Sequence, residues 1–142
     1  MLEIKPVKSN TTELDDFLAL PKKIYQPDHL MQSEEEEAAL IEGSHPLSSD
    51  LDTYAFIGYE DSLSCIRGLL TFYPDDEAAY LGFFESINNQ KIASAFIEHL
   101  AGFARSLGAS KIIGPVQASF WLGYRMQLTG TEELPFTGEP HN

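Results

Sequence analysis

The sequence predicts a mixed α/β fold, in which helices flank a mainly antiparallel central sheet, and three neighbouring stretches carry this prediction. Residues 80–85 are aromatic and apolar and too few for a helix, as is typical of a strand. Residues 90–107 repeat apolar side chains every three or four positions, which is the period of an amphipathic helix. Residues 111–113 form a second apolar run, stopped by Gly114 and Pro115, and predict a brief buried strand. Strand, helix and strand in this order make a crossover, which requires two parallel strands.

The chain before this crossover predicts one strand, two helices and an antiparallel meander. Residues 2–7 alternate apolar and polar side chains, which predicts a short strand. A first helix is expected to begin near Glu13 and to kink or end at Pro21, since proline lacks the N–H that a helix interior uses. A second helix is expected between a cap at Ser33 and a stop at Gly43. Short connections then join three stretches rich in residues that favour strands, namely residues 54–59, 65–73 and 78–85.

After the crossover, residues 118–128 predict a last helix, and the tail from residue 134 onward has no clear period. Phe120, Trp121 and Tyr124 form an aromatic group on this helix. Core packing is the first expectation for this group, and a pocket wall or an interface are the alternatives. The predicted order is β-α-α-β-β-β-α-β-α, within a single domain of residues 1–142.

The chain is strongly acidic, with 22 Asp and Glu against 9 Lys and Arg and a formal net charge of -13. This charge argues against a nucleic-acid partner, since neutralising phosphates requires clustered Lys and Arg, and for the same reason against anionic membranes. The net negative charge favours the approach of a cationic over an acidic small molecule through long-range electrostatic attraction, and it indicates nothing about the reaction. Residues 34–37 are four consecutive glutamates. A solvated helix start is the first expectation for them, and a site for a cation or a basic partner is the alternative.

The single cysteine, the spacing of the histidines and the lengths of the apolar runs limit the possible location and the possible metal sites of the protein. Cys65 is the only cysteine, which excludes an intramolecular disulfide and favours a reducing compartment. It falls inside a predicted strand without a neighbouring base, so we expect a buried thiol rather than a nucleophile. The N-terminus shows no signal peptide and no apolar run reaches membrane-spanning length, so we expect a cytoplasmic protein without a membrane partner. The histidines lack metal-binding spacing, and no metal site is expected at His29, His45, His99 or His141.

Several segments resemble the Gcn5-related N-acetyltransferase (GNAT) superfamily. They are Gly82-Phe-Phe-Glu85, Asn88-Asn-Gln90, the helix end Ala-Arg-Ser-Leu-Gly at residues 104–108, and Lys-Ile-Ile-Gly-Pro at residues 111–115. Residues 17–25 and 135–142 also resemble pieces of one subgroup, which consists of uncharacterised bacterial proteins with this GFFE strand. The match covers most of the chain in order and implies an acyl-CoA N-acyltransferase-like fold. Members of the subgroup generally continue further, so we expect this chain to be truncated at its C-terminus and to lack the last strands of the fold.

The resemblance implies an acyl-CoA-dependent N-acetyltransferase, which moves the acetyl group of acetyl-CoA to an amine of a small molecule or a protein. Such a reaction needs a base for the amine proton and an acid for the leaving thiolate. Glu85 is the predicted base and Tyr124 the predicted acid. A surface or helix-start carboxylate is the alternative for Glu85, and packing is the alternative for Tyr124. The residues predicted to bind the cofactor lie at the end of the strand and at the start of the central helix: Phe84, Asn88, Asn89, Gln90 and Lys91.

The loop between that strand and helix differs from the pattern of the superfamily. GNAT acetyltransferases carry Gln/Arg-x-x-Gly-x-Gly/Ala there, and its backbone N–H groups bind the coenzyme A pyrophosphate. Residues 86–93 contain no glycine, which gives the backbone less freedom to approach a phosphate. Two alternatives to the enzyme therefore stay open: a non-catalytic GNAT-like module for a small ligand or a protein partner, and a purely structural subunit. If the last strands are missing, one sheet edge is open, and we expect a homodimer.

Overall fold

The computed structural model describes residues 1–119 and residue 122 of the 142-residue chain. Five strands and three α-helices follow one another in this part in the predicted order. They are β1 (Glu3–Val7), α1 (Thr12–Ile24), α2 (Glu34–Glu42), β2 (Asp52–Glu60), β3 (Leu63–Phe72), β4 (Ala78–Ser86), α3 (Gln90–Ser106) and β5 (Lys111–Ile113). The predicted last helix does not begin at Ala118 or Ser119, which lie in bends. Apart from Leu122, its other positions, Tyr124 among them, lie outside the described residues.

The strands form one mixed sheet, in which the order across the sheet, β1-β2-β3-β4-β5, is also the order along the chain. Neighbours from β1 to β4 are antiparallel, and β4 pairs with β5 in parallel through the crossover helix α3. The predicted fold class is therefore confirmed. The prediction that residues 111–113 are buried is wrong, because Lys111 and Ile113 are exposed. Among the described strands only β4 lies beside β5.

Helices cover both faces of the sheet and divide the core into two layers. Helix α3 packs on one face through residues three or four positions apart, as its period predicts: Ile92, Phe96, Leu100 and Ala104. Helices α1 and α2 cover the other face, where their apolar residues meet those of the strands: Leu14, Phe17, Leu40, Ala55, Ile57, Leu69 and Phe83. Strand β3 is consequently buried on both faces over residues 64–71, and Arg67 is the charged residue within that stretch.

Helix α1 continues through Pro21 to Ile24, so of the two expected effects of this proline, a kink or an end, the end is wrong. A proline in a helix leaves the carbonyl four residues earlier without its usual N–H donor. That carbonyl belongs to Phe17, and it accepts a hydrogen bond from Nη1 of Arg67 at 2.9 Å. A guanidinium from the neighbouring sheet therefore replaces the missing backbone donor, and the helix has no unsatisfied carbonyl at this position.

Side chains cap the starts of α1 and α2, and the ends predicted for α2 at Ser33 and Gly43 are confirmed. The Thr11 hydroxyl accepts from the Leu14 N–H at 3.2 Å, and the Ser33 hydroxyl accepts from the Glu36 N–H at 3.3 Å. Gly43 ends α2 at a φ of 80°, a conformation that favours glycine. Among the described residues, the helices lack the length and the apolar character that a membrane crossing demands.

The chain after β5 crosses closely over β4 at Gly82. The Val116 N–H donates to the Leu81 carbonyl at 2.9 Å, and the Phe83 N–H donates to Oε1 of Gln117. A Cβ at Gly82 would lie 2.0 Å from the Val116 carbonyl oxygen, so only glycine admits this crossing. Ala118 then reaches the core on the α1 and α2 face, where it is fully buried.

Candidate functional site

A bulge in β4 separates the side chains of the Gly82-Phe-Phe-Glu85 segment. Leu69 of β3 pairs with Gly82 and Arg67 pairs with Glu85, so β4 contains one residue more than β3 between these pairs. Phe83 adopts a φ of 50° in this bulge, and its side chain joins the core on the α1 and α2 face. Phe84 packs on the other face, where its ring centroid lies 6.4 Å from that of Phe96. Glu85 follows on the same side as Phe83.

A pocket of about 300 Å³ lies between α2 and β4. We call it the α2 pocket, and the polar residues that define it are Gln32, Glu36, Glu37, Arg67, Glu85 and Gln117. Its described lining residues include three carboxylates and one guanidinium. Acidic groups therefore outnumber basic ones in its wall, and the pocket favours a cationic ligand.

Arg67 is the centre of the charged wall of the α2 pocket, although only 2% of it is exposed. Its Nη1 lies 2.6 Å from Oε1 of Glu37, and its Nη2 lies 3.2 Å from Oε2 of the same carboxylate. The guanidinium also lies 4.5 Å above the ring of Phe17. Glu85 is opposite Arg67 in the β-sheet register and is 8% exposed. Pairing of this kind is what allows a guanidinium and a carboxylate to be buried.

Glu37 corrects the expectation that residues 34–37 form only a solvated helix start. Its side chain is 4% exposed and lies on the inward face of α2, three residues before the buried Leu40. Gln32 reinforces this arrangement, since its Nε2 donates to Glu37 Oε1 at 2.9 Å and to the Leu18 carbonyl at 2.8 Å. The Gln32 Oε1 atom is buried and accepts no hydrogen bond from the described residues.

Tyr25 contacts the predicted base directly. Its hydroxyl donates to Oε2 of Glu85 at 2.5 Å, and the residue itself caps the C-terminal end of α1. Burial, together with the nearby charge of Glu85, raises the pKa of Tyr25, so the phenol keeps its proton and acts as a donor. Tyr25 is not among the site residues expected from the sequence, because nothing in the local sequence indicates a partner 60 positions away.

A second, more open cavity of about 520 Å³ lies beside the start of α3. We call it the α3 groove, and its lining includes Tyr25, Ile87, Asn88, Asn89, Gln90 and Ala93. The structure thus brings three of the predicted cofactor residues together, whereas Lys91 is exposed outside the described lining and Phe84 packs in the core. Tyr25 lines the α3 groove and Glu85 lines the α2 pocket, so their hydrogen bond joins the walls of the two cavities.

The first turn of α3 is capped by the side chain of Asn89. Its Oδ1 accepts from the Lys91 N–H at 3.0 Å and from the Ile92 N–H at 3.2 Å. Two of the amides that a phosphate could bind at this helix start are therefore engaged by the chain itself.

Other candidates from the sequence lie away from both cavities or outside the described residues. Cys65 is 4% exposed, and burial raises the pKa of its thiol, so the thiolate is disfavoured. Within the described residues no group of three or more His, Cys, Asp or Glu is arranged to hold a metal ion. Tyr124, the predicted acid, lies outside the part of the chain that the structure describes.

Comparison with known proteins identifies the fold. No protein-family model matches the sequence, and no curated protein matches it either. A tandem GNAT protein from the clavulanic acid biosynthesis pathway has a TM-score of 0.65 at 13% identity, over 82% of this chain and 40% of its own. An N-acetyltransferase from Staphylococcus aureus Mu50 has a TM-score of 0.57 at 14% identity, over 77% of this chain and 67% of its own.

A third similar structure is AAC(6')-Iy in complex with the bisubstrate analog CoA-S-monomethyl-acetylneamine. It has a TM-score of 0.58 at 14% identity, over 82% of this chain and 80% of its own. These likenesses show that the chain has the acyl-CoA N-acyltransferase-like fold of the GNAT proteins, as the resemblance in sequence predicts. The chain spans 40% of the length of the tandem protein.

Proposed function

We propose that this chain, which has the GNAT fold, is an acyl-CoA-dependent N-acetyltransferase whose acceptor is a cationic amine. The observation that carries the proposal is the position of Glu85. This buried carboxylate lies in the wall of the α2 pocket and is hydrogen-bonded to Tyr25 in the wall of the α3 groove. A base in this position can serve an acceptor in one cavity and an acetyl donor in the other.

The acceptor amine occupies the α2 pocket in this proposal. The excess of carboxylates in the described lining favours its charged form on entry. Glu85 then takes a proton from the ammonium, which leaves a neutral nitrogen that can attack an acetyl thioester. Support also comes from AAC(6')-Iy, whose complex contains an analog that joins CoA to acetylneamine.

Acetyl-CoA occupies the α3 groove in this proposal and supplies the acetyl thioester. Asn88, Asn89 and Gln90 line this groove, and Lys91 adds a positive charge at the same helix start. The Lys91 and Ile92 amides bind the pyrophosphate after the Asn89 side chain has turned away. Phe84 supports the groove from the core, and Tyr124 stays the predicted acid for the thiolate.

A non-catalytic binding module is the second candidate function. The observation that favours it is the capping of the Lys91 and Ile92 amides by Asn89, in a loop without glycine. Binding of acetyl-CoA separates the two candidates, because the enzyme requires it and the module does not.

The partner and the location are proposals on separate grounds. We propose a homodimer that pairs through β5, whose exposed side has no strand beside it among the described residues. Size-exclusion chromatography with light scattering tests this, and a monomeric mass would contradict it. A cytoplasmic location is proposed from the single cysteine.

The test of the enzyme is a calorimetric titration with acetyl-CoA, followed by acetyl-transfer assays on a panel of amines. We expect the wild-type chain to bind acetyl-CoA and to acetylate at least one amine. Glu85→Gln should keep this binding and lose transfer by about a hundredfold or more, as expected for a missing general base. Glu98→Gln, an exposed change on α3, is the matched control and should be fully active. An absence of binding at millimolar acetyl-CoA would reject the enzyme.

A further inference from the structure

We infer that Tyr25 is a positioning residue, whose hydroxyl holds the Glu85 carboxylate in place and in its ionised form at the boundary between the α2 pocket and the α3 groove. The inference deepens the proposed function, because it rests on Glu85 as the base. The carrying observation is the hydrogen bond of 2.5 Å from Tyr25 Oη to Glu85 Oε2. Tyr25, which follows the last residue of α1, was not among the site residues expected from the sequence.

The two partners are held by different elements of the fold. Tyr25 follows the last residue of α1, and its own N–H donates to the Pro21 carbonyl at 2.9 Å, which fixes the backbone behind the phenol. Glu85 lies after the bulge in β4, in register with Arg67 of β3. A contact between a helix end and a strand end restricts the carboxylate rotamer, which is what an effective base requires.

The charged groups that line the two cavities affect the protonation state of Glu85, to which Tyr25 donates its hydrogen bond. Across the α2 pocket, β3 contributes Arg67, and α2 contributes Glu36 and Glu37. On the α3 groove side the described lining residues carry no charge. A carboxylate that faces other carboxylates takes up a proton more readily, and a donated hydrogen bond opposes this. The phenol hydroxyl therefore favours the form of Glu85 that can accept a proton from the substrate.

Removal of this hydroxyl has a consequence that a packing role alone does not have. In Tyr25→Phe the ring remains, and Glu85 loses a donor to its charged form. We expect the acid limb of the kcat/KM profile for acetyl transfer to move to higher pH, because the loss of a donated hydrogen bond disfavours the charged carboxylate. Transfer on the plateau should fall by less than about tenfold, because the base itself is present.

Tyr59→Phe is the matched control for this variant. Tyr59 also donates to a carboxylate, Asp16 Oδ2 at 2.6 Å, and is partly buried, but neither residue belongs to the described lining of the two cavities. The acid limb of the kcat/KM profile of Tyr59→Phe should coincide with that of the wild-type chain. An unmoved acid limb in Tyr25→Phe, or the same displacement in both variants, would overturn the inference.

A second readout is independent of activity. In the full chain without ligands, carboxyl ¹³C resonances can be followed against pH, and the Glu85 signal is the one that Glu85→Gln removes. Its titration midpoint should rise in Tyr25→Phe, because the carboxylate loses a donor. In the wild-type chain the ring resonances of Tyr25 should change at the same pH midpoint as the Glu85 carboxyl signal. This comparison does not need Tyr25→Phe, so it can be made even if that variant does not fold. Separate midpoints overturn the inference, whereas an inactive wild-type chain with a shared midpoint rejects only the proposed function.

Discussion

Arg67 links the backbone of α1 to the wall of the α2 pocket. Its guanidinium supplies the donor that Pro21 cannot give to the Phe17 carbonyl, and the same group pairs with Glu37. A buried cation without its partner destabilises the fold, and so does a buried carboxylate without its cation. The stability of α1 and the charge of the pocket therefore depend on one side chain.

We predict that Arg67→Met destabilises the chain by about 3–5 kcal/mol, because it leaves the Glu37 carboxylate buried without its cation. Urea unfolding followed by circular dichroism measures this change. The double variant Arg67→Met with Glu37→Gln should be more stable than Arg67→Met alone, since the uncompensated charge is removed. Lys22→Met, which breaks the exposed pair with Glu34 at 3.0 Å, is the control and should cost less than about 1 kcal/mol. Equal losses in Arg67→Met and Lys22→Met would contradict the prediction.

The residues of the site differ in how far the sequence could predict them. Glu85 was predicted through the GFFE resemblance and its place at a strand end. Arg67 offered a signal that was not used, because a single charge in an apolar strand indicates a buried ion pair. The contact of Tyr25 with Glu85 and that of Glu37 with Arg67 could not be predicted, since they arise only when α1 and α2 pack on the sheet.

At the level of secondary structure, the period of the apolar residues predicted the strands and helices well. It failed where a neighbouring element decides the outcome. Helix α1 passes Pro21 because a strand supplies a donor, and β5 is exposed because only one described strand flanks it. The local sequence does not show which elements will lie beside α1 and β5. The crossover was predicted correctly because the helical period of α3 is long and lies between two short apolar runs, which become β4 and β5.

The capped start of α3 yields a prediction about cofactor affinity. Asn89→Gly removes the carboxamide that engages the Lys91 and Ile92 amides, and it adds the backbone freedom that the loop lacks. We expect acetyl-CoA to bind about two- to fivefold more tightly, as two freed amides at a helix start favour a phosphate. The helix itself should lose only a few tenths of a kcal/mol, because glycine is a tolerable N-cap.

Isothermal titration calorimetry of Asn89→Gly with acetyl-CoA provides the measurement. Ser33→Gly removes the corresponding cap of α2, where the Ser33 hydroxyl accepts from the Glu36 N–H. It should alter stability to a similar extent and leave the affinity unchanged. Weaker binding to Asn89→Gly would show that the carboxamide itself contacts the ligand and would refute the proposed rearrangement.

For the whole molecule, four tyrosines determine a loss of stability at alkaline pH. Desolvation or a carboxylate partner raises the pKa of Tyr25, Tyr59, Tyr73 and Tyr80 in the folded chain. The neutral phenols therefore stabilise the folded state fully below about pH 10, the ordinary tyrosine pKa. Above that pH the unfolded chain loses these protons first, so the free energy of unfolding falls as the pH rises.

Urea unfolding between about pH 8 and pH 11, with tyrosinate absorbance followed in parallel, tests this dependence. The fall should be shallower in the double variant Tyr25→Phe with Tyr59→Phe, since two of the displaced titrations are gone. Lysine and thiol ionisation are common to both chains and cancel in the comparison. Parallel curves for the two chains would contradict the prediction.

The agreement between chain order and sheet order has a consequence for synthesis on the ribosome. Each strand after β1 emerges when its neighbour in the sheet has already been made. The same holds for the buried polar groups, because Phe17 and Glu37 leave the exit tunnel before Arg67, and Tyr25 leaves it before Glu85. We expect the nascent chain to bury these charges with their partners at hand, because each described strand after β1 pairs with one that has already been made.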